Sequence, residues 1–447
     1  MAELSPLADV VHAQKQGVAR GITSVCSAQA VVLQAAMEQA LEDGSCVLVE
    51  STSNQVNQEG GYTGVKPAEF AAFVGRLGED AGMAAERVIL GGDHLGPHPW
   101  AAQGVTIAMA RAAEMVRQYV RAGYAKIHLD ASMPCADDPL GPLADTVAAA
   151  RTADLAAAAE AAASERPSGS PAPVYVVGTE FPPPGGQKGD QEGPAVTRVE
   201  DAERTLALAR EAFTRRGLER AWERVIALVV QPGVEFGDEA VFPYRREAAA
   251  GLKALAEARG LVFEAHSTDY QDEGALRALV ADHFAILKVG PELTFAFREA
   301  VFALEETERE LLGRLTPDRL SGVGQALDDA MVRDPRHWKP WYDAADEETA
   351  RVQRRFSLSD RCRYYWPCPE VQDALRRLFL NLEGRRLPRG LVSQFLPDGV
   401  EAAAVGSARG LPGRLVRSHV RRVLRRYARA CRKSAAGVSA GAELPLR

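Results

Sequence analysis

The chain has 447 residues, 46% of them hydrophobic and 25% charged, with a formal net charge of −7. That length accommodates one barrel of about 250 residues and a sizeable addition. The acidic balance gives no general ground for binding nucleic acid or an anionic membrane, and no apolar run approaches a membrane span.

The opening residues, MAELSPLADVVHAQKQG, lack the basic start and apolar stretch of a signal peptide, so a cytoplasmic protein is expected. GITSVCS (21–27) reads as a first buried strand, followed by the helical stretch 30–43. CVLVE then leads into Glu50-Ser-Thr-Ser-Asn54, and a helix is expected over 67–82. RVILGG precedes Asp93-His94, with a helix over 109–123. YAKIHL carries His128-Leu-Asp130 and leads to an Ala-rich helix at 146–164, which ends in a Pro/Ser-rich loop at 165–173. PVYVVG precedes Gly178-Thr-Glu180 and a loop over 182–194, which reads equally as a lid or a solvated linker. After a helix at 199–217, RVIALVV precedes Gln231-Pro-Gly233. A helix at 245–260, LVFEA with His266-Ser-Thr-Asp269, and FAILKVG (284–290) complete the series.

Eight alternations of strand and helix predict parallel pairing and closure into a (β/α)8 TIM barrel over residues 1–295. No Gly-x-Gly-x-x-Gly follows the first strand, which disfavours a dinucleotide fold. The alternation then stops, and residues 296–433 read as an α-helical extension packed on the barrel, with a disordered tail at 434–447. The basic run at 414–433 carries an apolar stripe of Leu415, Val416, Val420, Val423, Leu424 and Tyr427, so a docked helix is expected there. Cys26, Cys46, Cys135, Cys362, Cys368 and Cys431 show no CxxC spacing and read as free thiols in a reducing compartment.

Each polar cluster follows a strand, and strand C-termini are where this barrel builds its active sites. Carboxylates, imidazoles and an amide gathered there form a donor set for a divalent ion. His94, Glu180, Gln231 and His266 are the candidate ligands, suited to zinc, manganese, cobalt or nickel, with magnesium less natural beside two imidazoles. Asp93 is the candidate proton-transfer group, with Glu180 or Asp130 as a second acid/base. His128, two residues before Asp130 on the same strand face, reads equally as a satisfied core histidine and as a ligand. Ser27, Glu50 and Asn54 are candidate substrate contacts. Ser267, Thr268, Asp269 and Gly290 lie at the seventh and eighth strand ends, where barrels commonly hold phosphate. Lys288 either supports that phosphate or pairs with a carboxylate. Arg354, Arg361 and Arg363 could bind it bidentately or form a structural ion-pair network.

The motifs S-V-C-S (24–27), E-S-T-S-N-Q-V-N-Q (50–58), G-G-Y-T-G (60–64), G-G-D-H-L-G-P (91–97), K-I-H-L-D-A-S-M (126–133), V-V-Q-P-G-V-E-F (229–236), E-A-H-S-T-D-Y-Q (264–271), L-K-V-G-P (287–291) and S-D-R-C-R-Y-Y-W-P (359–367) resemble one family over nearly the whole chain. It is the family of the so-called non-catalytic subunit of class II tagatose-bisphosphate aldolase, which also contains tagatose-6-phosphate (fructose-6-phosphate) 4-epimerases. It is similar in turn to the metal-dependent class II aldolases. The resemblance implies Asp93 as the proton-transfer carboxylate, His94 and His266 as metal ligands, and Glu180 as the acid of a Gly-Gly loop. Gln231 stands where the aldolases have another histidine, and His266-Ser-Thr-Asp269 replaces a glycine-rich phosphate loop. Those departures speak against ordinary bisphosphate aldolase activity, and the complete set of acid/base groups favours an expected isomerase, a 4-epimerase of D-tagatose 6-phosphate and D-fructose 6-phosphate working by metal-assisted retro-aldol chemistry. The other implied role is an accessory subunit partnered by a catalytic aldolase chain. A sugar phosphate is the expected small-molecule ligand, and homo-oligomerisation is left open.

Overall fold

Eight short parallel strands close on themselves in the computed structural model, which describes residues 6–178, 193–314, 317–342, 344, 346–404 and 407–432. The first six are β1 (Ile22–Val25), β2 (Val47–Thr52), β3 (Val88–Leu95), β4 (Lys126–Leu129), β5 (Val174–Gly178) and β6 (Val225–Val229). A small antiparallel pair, β7 (Glu235–Phe236) and β8 (Val241–Phe242), stands outside the ring. β9 (Phe263–Ala265) and β10 (Phe284–Val289) close it, in the order β1-β10-β9-β6-β5-β4-β3-β2. The predicted TIM barrel is therefore the architecture observed.

The two-residue period of a strand sorts its side chains into two environments. Val47, Val49, Ile127, Leu129, Tyr175, Val177, Leu287 and Val289 join the large core shared with the surrounding helices. Leu48, Ile89, Val176, Ala227 and Ile286 form a separate apolar cluster inside the barrel. Leu7, Val10 and Val11 of the helix Pro6–Lys15 belong to that inner cluster and plug the end from which the strands start. The opposite end, where the polar clusters lie, is the mouth.

Beyond β10 the described chain is helical. The helix Pro291–Leu312 runs without a break through residue 295, where the sequence divides barrel from extension. The helix Leu411–Cys431 packs against helices Ala30–Asp43, Glu273–Ala281 and Pro291–Leu312, burying the predicted stripe Leu415, Val416, Val420, Val423, Leu424 and Tyr427. Its basic face meets acids of the barrel: Arg417 pairs with Glu38, Arg421 with Glu42, Arg429 with Glu273 and Arg432 with Asp43. The six cysteines are free thiols. No helix among the described residues is long and apolar enough to cross a membrane. The expected tail at 434–447 and nearly all of the expected lid at 182–194 fall outside the described residues.

Tyr427 is the deepest tie between this closing helix and the barrel. Its hydroxyl donates to the Thr268 carbonyl at 2.6 Å and lies 3.1 Å from the Thr268 hydroxyl. Tyr427→Phe leaves that buried carbonyl underserved, so a stability loss of about 1–2 kcal/mol is expected. A shift in the urea midpoint at unchanged slope measures it.

Candidate active site

Above the apolar layer, the barrel interior turns charged. Glu50 of β2, Lys126 of β4 and Glu264 of β9 are all fully buried. Lys126 Nζ lies 2.7 Å from a carboxylate oxygen of each glutamate. Lys288 of β10 stands 3.4 Å from Glu50 and 3.5 Å from Glu264, and pairs closely with Asp93. Gly91 makes room for this layer, since a Cβ there would come within 2.7 Å of Glu50 Cγ. Burial opposes both lysine charges, yet Glu264 and Glu50 raise Lys126, and Asp93 and Glu50 raise Lys288 well above its ordinary value. The same pairing holds Glu264 well below the usual carboxylate range despite its burial. Glu50, Asp93 and Glu264 are close enough to share a cation, but the two lysines already supply that charge.

The next layer toward the mouth contains the histidines. Between Gly92 and Leu95, β3 carries one residue more than its partner β4, and His94 within that bulge adopts φ 46°. A bulge re-aims side chains, which is how adjacent Asp93 and His94 both join the site. A non-glycine residue in the left-handed region is a local strain of the kind found at functional sites.

Hydrogen bonds fix the orientation of each ring. His94 Nδ1 lies 2.8 Å from Asp130 Oδ2, His266 Nε2 2.9 Å from Glu264 Oε1, and His128 Nε2 2.9 Å from the Gly178 carbonyl. Ionised carboxylates and a carbonyl only accept, so each of those ring nitrogens carries the proton. The remaining nitrogens of His94 and His266 then present lone pairs to each other across 3.1 Å. Two facing lone pairs repel unless a proton or a metal ion lies between them. Single donor atoms of Asp93, His94, His128 and His266 all lie within 4.8 Å of one another. The arrangement fits a divalent ion, with Asp130 and Glu264 orienting two of its imidazoles as outer-shell carboxylates do. His128 is the most committed member, because its Nδ1 also accepts the His94 backbone N–H at 3.2 Å. Burial opposes ionisation of Asp93, but the Lys288 ammonium paired with it holds it well below its ordinary value, so it is a carboxylate at neutral pH.

Several sequence assignments change on this geometry. Gln231 uses its amide oxygen to accept from the Gly233 and Val234 backbone N–H groups, bracing its own turn instead of offering that oxygen to an ion. Asp130 is committed to His94 and to Ser132, which donates through both N–H and hydroxyl, so it positions a ligand and is not a free acid. Glu50 and Lys288 belong to the interior ion-pair layer, where a fully buried Glu50 cannot reach substrate. Ser27 accepts from the Gln29 N–H at the entry to a helix, and Asn54 is exposed in the turn after β2. Arg354 is bound to Asp328 and Glu347 over Trp338, inside the extension. Glu180 lies outside the described residues.

The expected phosphate corner between β9 and β10 is filled from within. Asp269 accepts from the backbone N–H groups of Gly290 and Glu292 at the start of the helix Pro291–Leu312, and burial pushes its pKa up to about 7. Thr268 is turned to the Lys288 carbonyl and Tyr427, while Ser267 is a buried turn residue with φ 50°. The residues missed in the sequence are Lys126 and Glu264. Their signal was a lone charge at an inward position of an apolar run.

One segment of the extension roofs the mouth. Leu358 N–H donates to the Asp238 carbonyl in the β7–β8 loop, and Ser357 Oγ donates to the Asp238 carboxylate. The Leu358 carbonyl accepts from Tyr270 after β9, and the Tyr364 ring stands edge-on to Tyr62 after β2, with centroids 4.7 Å apart. β2 and β6 are four places apart in a ring of eight, so a segment touching the loops after both spans the opening.

A family model described as D-tagatose-1,6-bisphosphate aldolase subunit GatZ/KbaZ-like matches residues 7–432. The chain is 46% identical over 423 residues to the D-tagatose-1,6-bisphosphate aldolase subunit GatZ of Klebsiella pneumoniae, covering 95% of this chain and 98% of that one. It is 47% identical, with the same coverage, to the protein of that name from Salmonella heidelberg. Among solved structures, a probable tagatose 6 phosphate kinase from Sinorhizobium meliloti matches with a TM-score of 0.82 and 43% identity, over 92% of this chain and 100% of that one.

Proposed function

Since the chain belongs to the D-tagatose-1,6-bisphosphate aldolase subunit GatZ/KbaZ-like family, we propose that it is a subunit of an aldolase for that sugar bisphosphate, working in the cytoplasm beside a separate catalytic chain. The observation that carries this reading is near-complete coverage by relatives bearing that name, at 46–47% identity. Six free thiols suit the reducing compartment.

A second reading rests on a different observation. Asp93, His94, His128 and His266 bring donor atoms close enough to hold a divalent ion at the barrel mouth, which supports chemistry of the chain's own. The same site would then interconvert D-tagatose 6-phosphate and D-fructose 6-phosphate. C4 carries no acidic proton, so inversion goes through the C3–C4 bond. Asp93 takes the proton of the C4 hydroxyl, the C3–C4 electron pair moves to the C2 carbonyl, and the aldehyde half turns within the site. Re-addition to its other face inverts C4 and returns the proton from Asp93. A divalent ion would be held by His94 and His266, with Asp93 beside it, and would supply Lewis-acid polarisation of the ketose carbonyl.

One experiment separates the two. The purified chain is incubated with fructose 6-phosphate and manganese or zinc, and product is followed by NMR. In parallel it is added to a catalytic D-tagatose-1,6-bisphosphate aldolase chain. The first reading expects longer-lived or higher aldolase activity and no tagatose 6-phosphate from the chain alone. Epimerisation by the chain alone, without any effect on the aldolase, overturns it in favour of the second.

A further inference from the structure

We infer that Arg361 and Arg363, with the hydroxyls of Tyr62 and Tyr364, form a subsite for a phosphate monoester on the roof of the barrel mouth. This rests on the reading of the chain as a protein that handles sugar phosphates.

The placement follows from the roof. Arg361–Tyr364 is a short 3-10 turn directly after the segment that touches the loops behind β6 and β9, and Tyr364 meets Tyr62 on the far side of the opening. A group bound there faces the end of the barrel where Asp93, His94 and His266 lie. The chemistry follows from the charges. Arg363 donates to the Ser359 and Asp360 carbonyls and, at 3.1 Å, to the Tyr364 hydroxyl, so none of these partners is a carboxylate. Arg361 is 5% exposed and lies 3.8 Å from the centroid of the Trp341 ring. Of the nearby acids, Asp360 is engaged by Arg298 and Thr294, and Asp238, whose charge reaches Arg361, by Ser357 and Gln353.

The electrostatics agree with two guanidiniums gathered on one aromatic platform. Burial, together with the neighbouring Arg363 charge, lowers the Arg361 pKa to about 10. Burial opposes ionisation of Tyr364, but Arg363 and Arg361 together hold its phenol below its ordinary value. His337 stacks on the Tyr364 ring at 4.7 Å and keeps it in place. A phosphate dianion suits this set, since guanidinium forks bind it bidentately and phenols donate to it. The corner where barrels commonly hold phosphate is taken by the Asp269 carboxylate, which already accepts the helix-start N–H groups. An incoming phosphate therefore needs another cationic site, and the roof provides one.

Calorimetric titrations of the full chain at constant ionic strength test this, with fructose 6-phosphate, inorganic phosphate and fructose as probes. Fructose 6-phosphate is expected to bind, inorganic phosphate to compete with it, and fructose to bind roughly 10- to 100-fold more weakly. Arg363→Met should remove most of that preference while leaving fructose affinity unchanged, and Arg363→Lys should fall between. If Arg363→Met loses its native circular dichroism, Tyr62→Phe takes its place with a smaller expected loss of the same preference. Undiminished phosphate competition in the folded variants overturns the subsite, as does a wild-type chain that binds fructose and fructose 6-phosphate equally. The readout is binding, so a chain with neither epimerase activity nor effect on an aldolase, but with the phosphate preference intact, sinks the functional reading and leaves the subsite standing.

Discussion

Lys126→Met is expected to cost about 3–5 kcal/mol of folding stability, the usual result of stranding a buried charge by removing its partner. Against a typical total of about 5–15 kcal/mol, that is enough to bring the chain near its threshold. The cause is local. Lys126 sits 2.7 Å from both Glu50 and Glu264, all three without solvent access, and the remaining lysine is 3.4 and 3.5 Å from the same carboxylates while also serving Asp93. Urea unfolding at pH 7 measures the loss. The deficit should narrow as pH falls. Glu264 has a depressed folded-state pKa in the wild type, so the stability it contributes is present above the ordinary carboxylate value of about 4 and is lost below it. In the variant that carboxylate protonates more readily, which removes the stranded charge. Lys126→Met combined with Glu264→Gln should recover part of the loss at neutral pH. A Lys126→Met midpoint equal to wild type, or a deficit that does not change between pH 7 and pH 5, would reject the charged layer as a structural element.

The second large effect concerns chemistry. Asp93→Asn should fold, because Lys288 retains Glu50 and Glu264 as counter-charges. Divalent-ion affinity should fall, since one anionic donor becomes neutral while both facing histidines remain. Under the epimerase reading, turnover of fructose 6-phosphate drops by about 10²–10⁴-fold, the share typical of a positioned acid/base. Lys288 keeps Asp93 ionised, so the substrate hydroxyl must approach the carboxylate against that ammonium group, and a base of depressed pKa gains from the low-dielectric setting rather than from intrinsic basicity. Full epimerase activity in the folded variant removes Asp93 from the mechanism. An aldolase effect that persists in Asp93→Asn points to the chain's surface as the supporting element.

The barrel was readable because eight apolar runs alternated with helical periods, and polar residues at the ends of those runs marked the mouth. Asp93, His94 and His266 were marked by that placement together with the family resemblance. Gln231, Thr268 and Asp269 stand at equivalent strand ends and looked the same in sequence. What separates them is a hydrogen bond to a backbone group two or more residues away, or to a helix that arrives from position 427, and periodicity carries no trace of either. The bulge at His94 explains how neighbours on one strand share a site, yet its sequence, Gly-Gly-Asp-His, offers only the glycines as a hint. Lys126 and Glu264 were hidden by a habit of reading. A single charge inside an apolar strand looks like an interruption until its inward parity is matched with that of Glu50 and Lys288.

The roof also sets an order in time. Asp93, His94, His128 and His266 all precede residue 267, and the strand that closes the barrel ends at Val289, whereas the roofing contacts begin only at Ser357. A ribosome adding about 5–20 residues per second needs roughly 3–15 s to cross that interval. Over that interval every residue of the site has been joined to the chain, while the span that covers them is still being made. An ion taken up by those side chains in that interval would be covered afterwards by residues translated later.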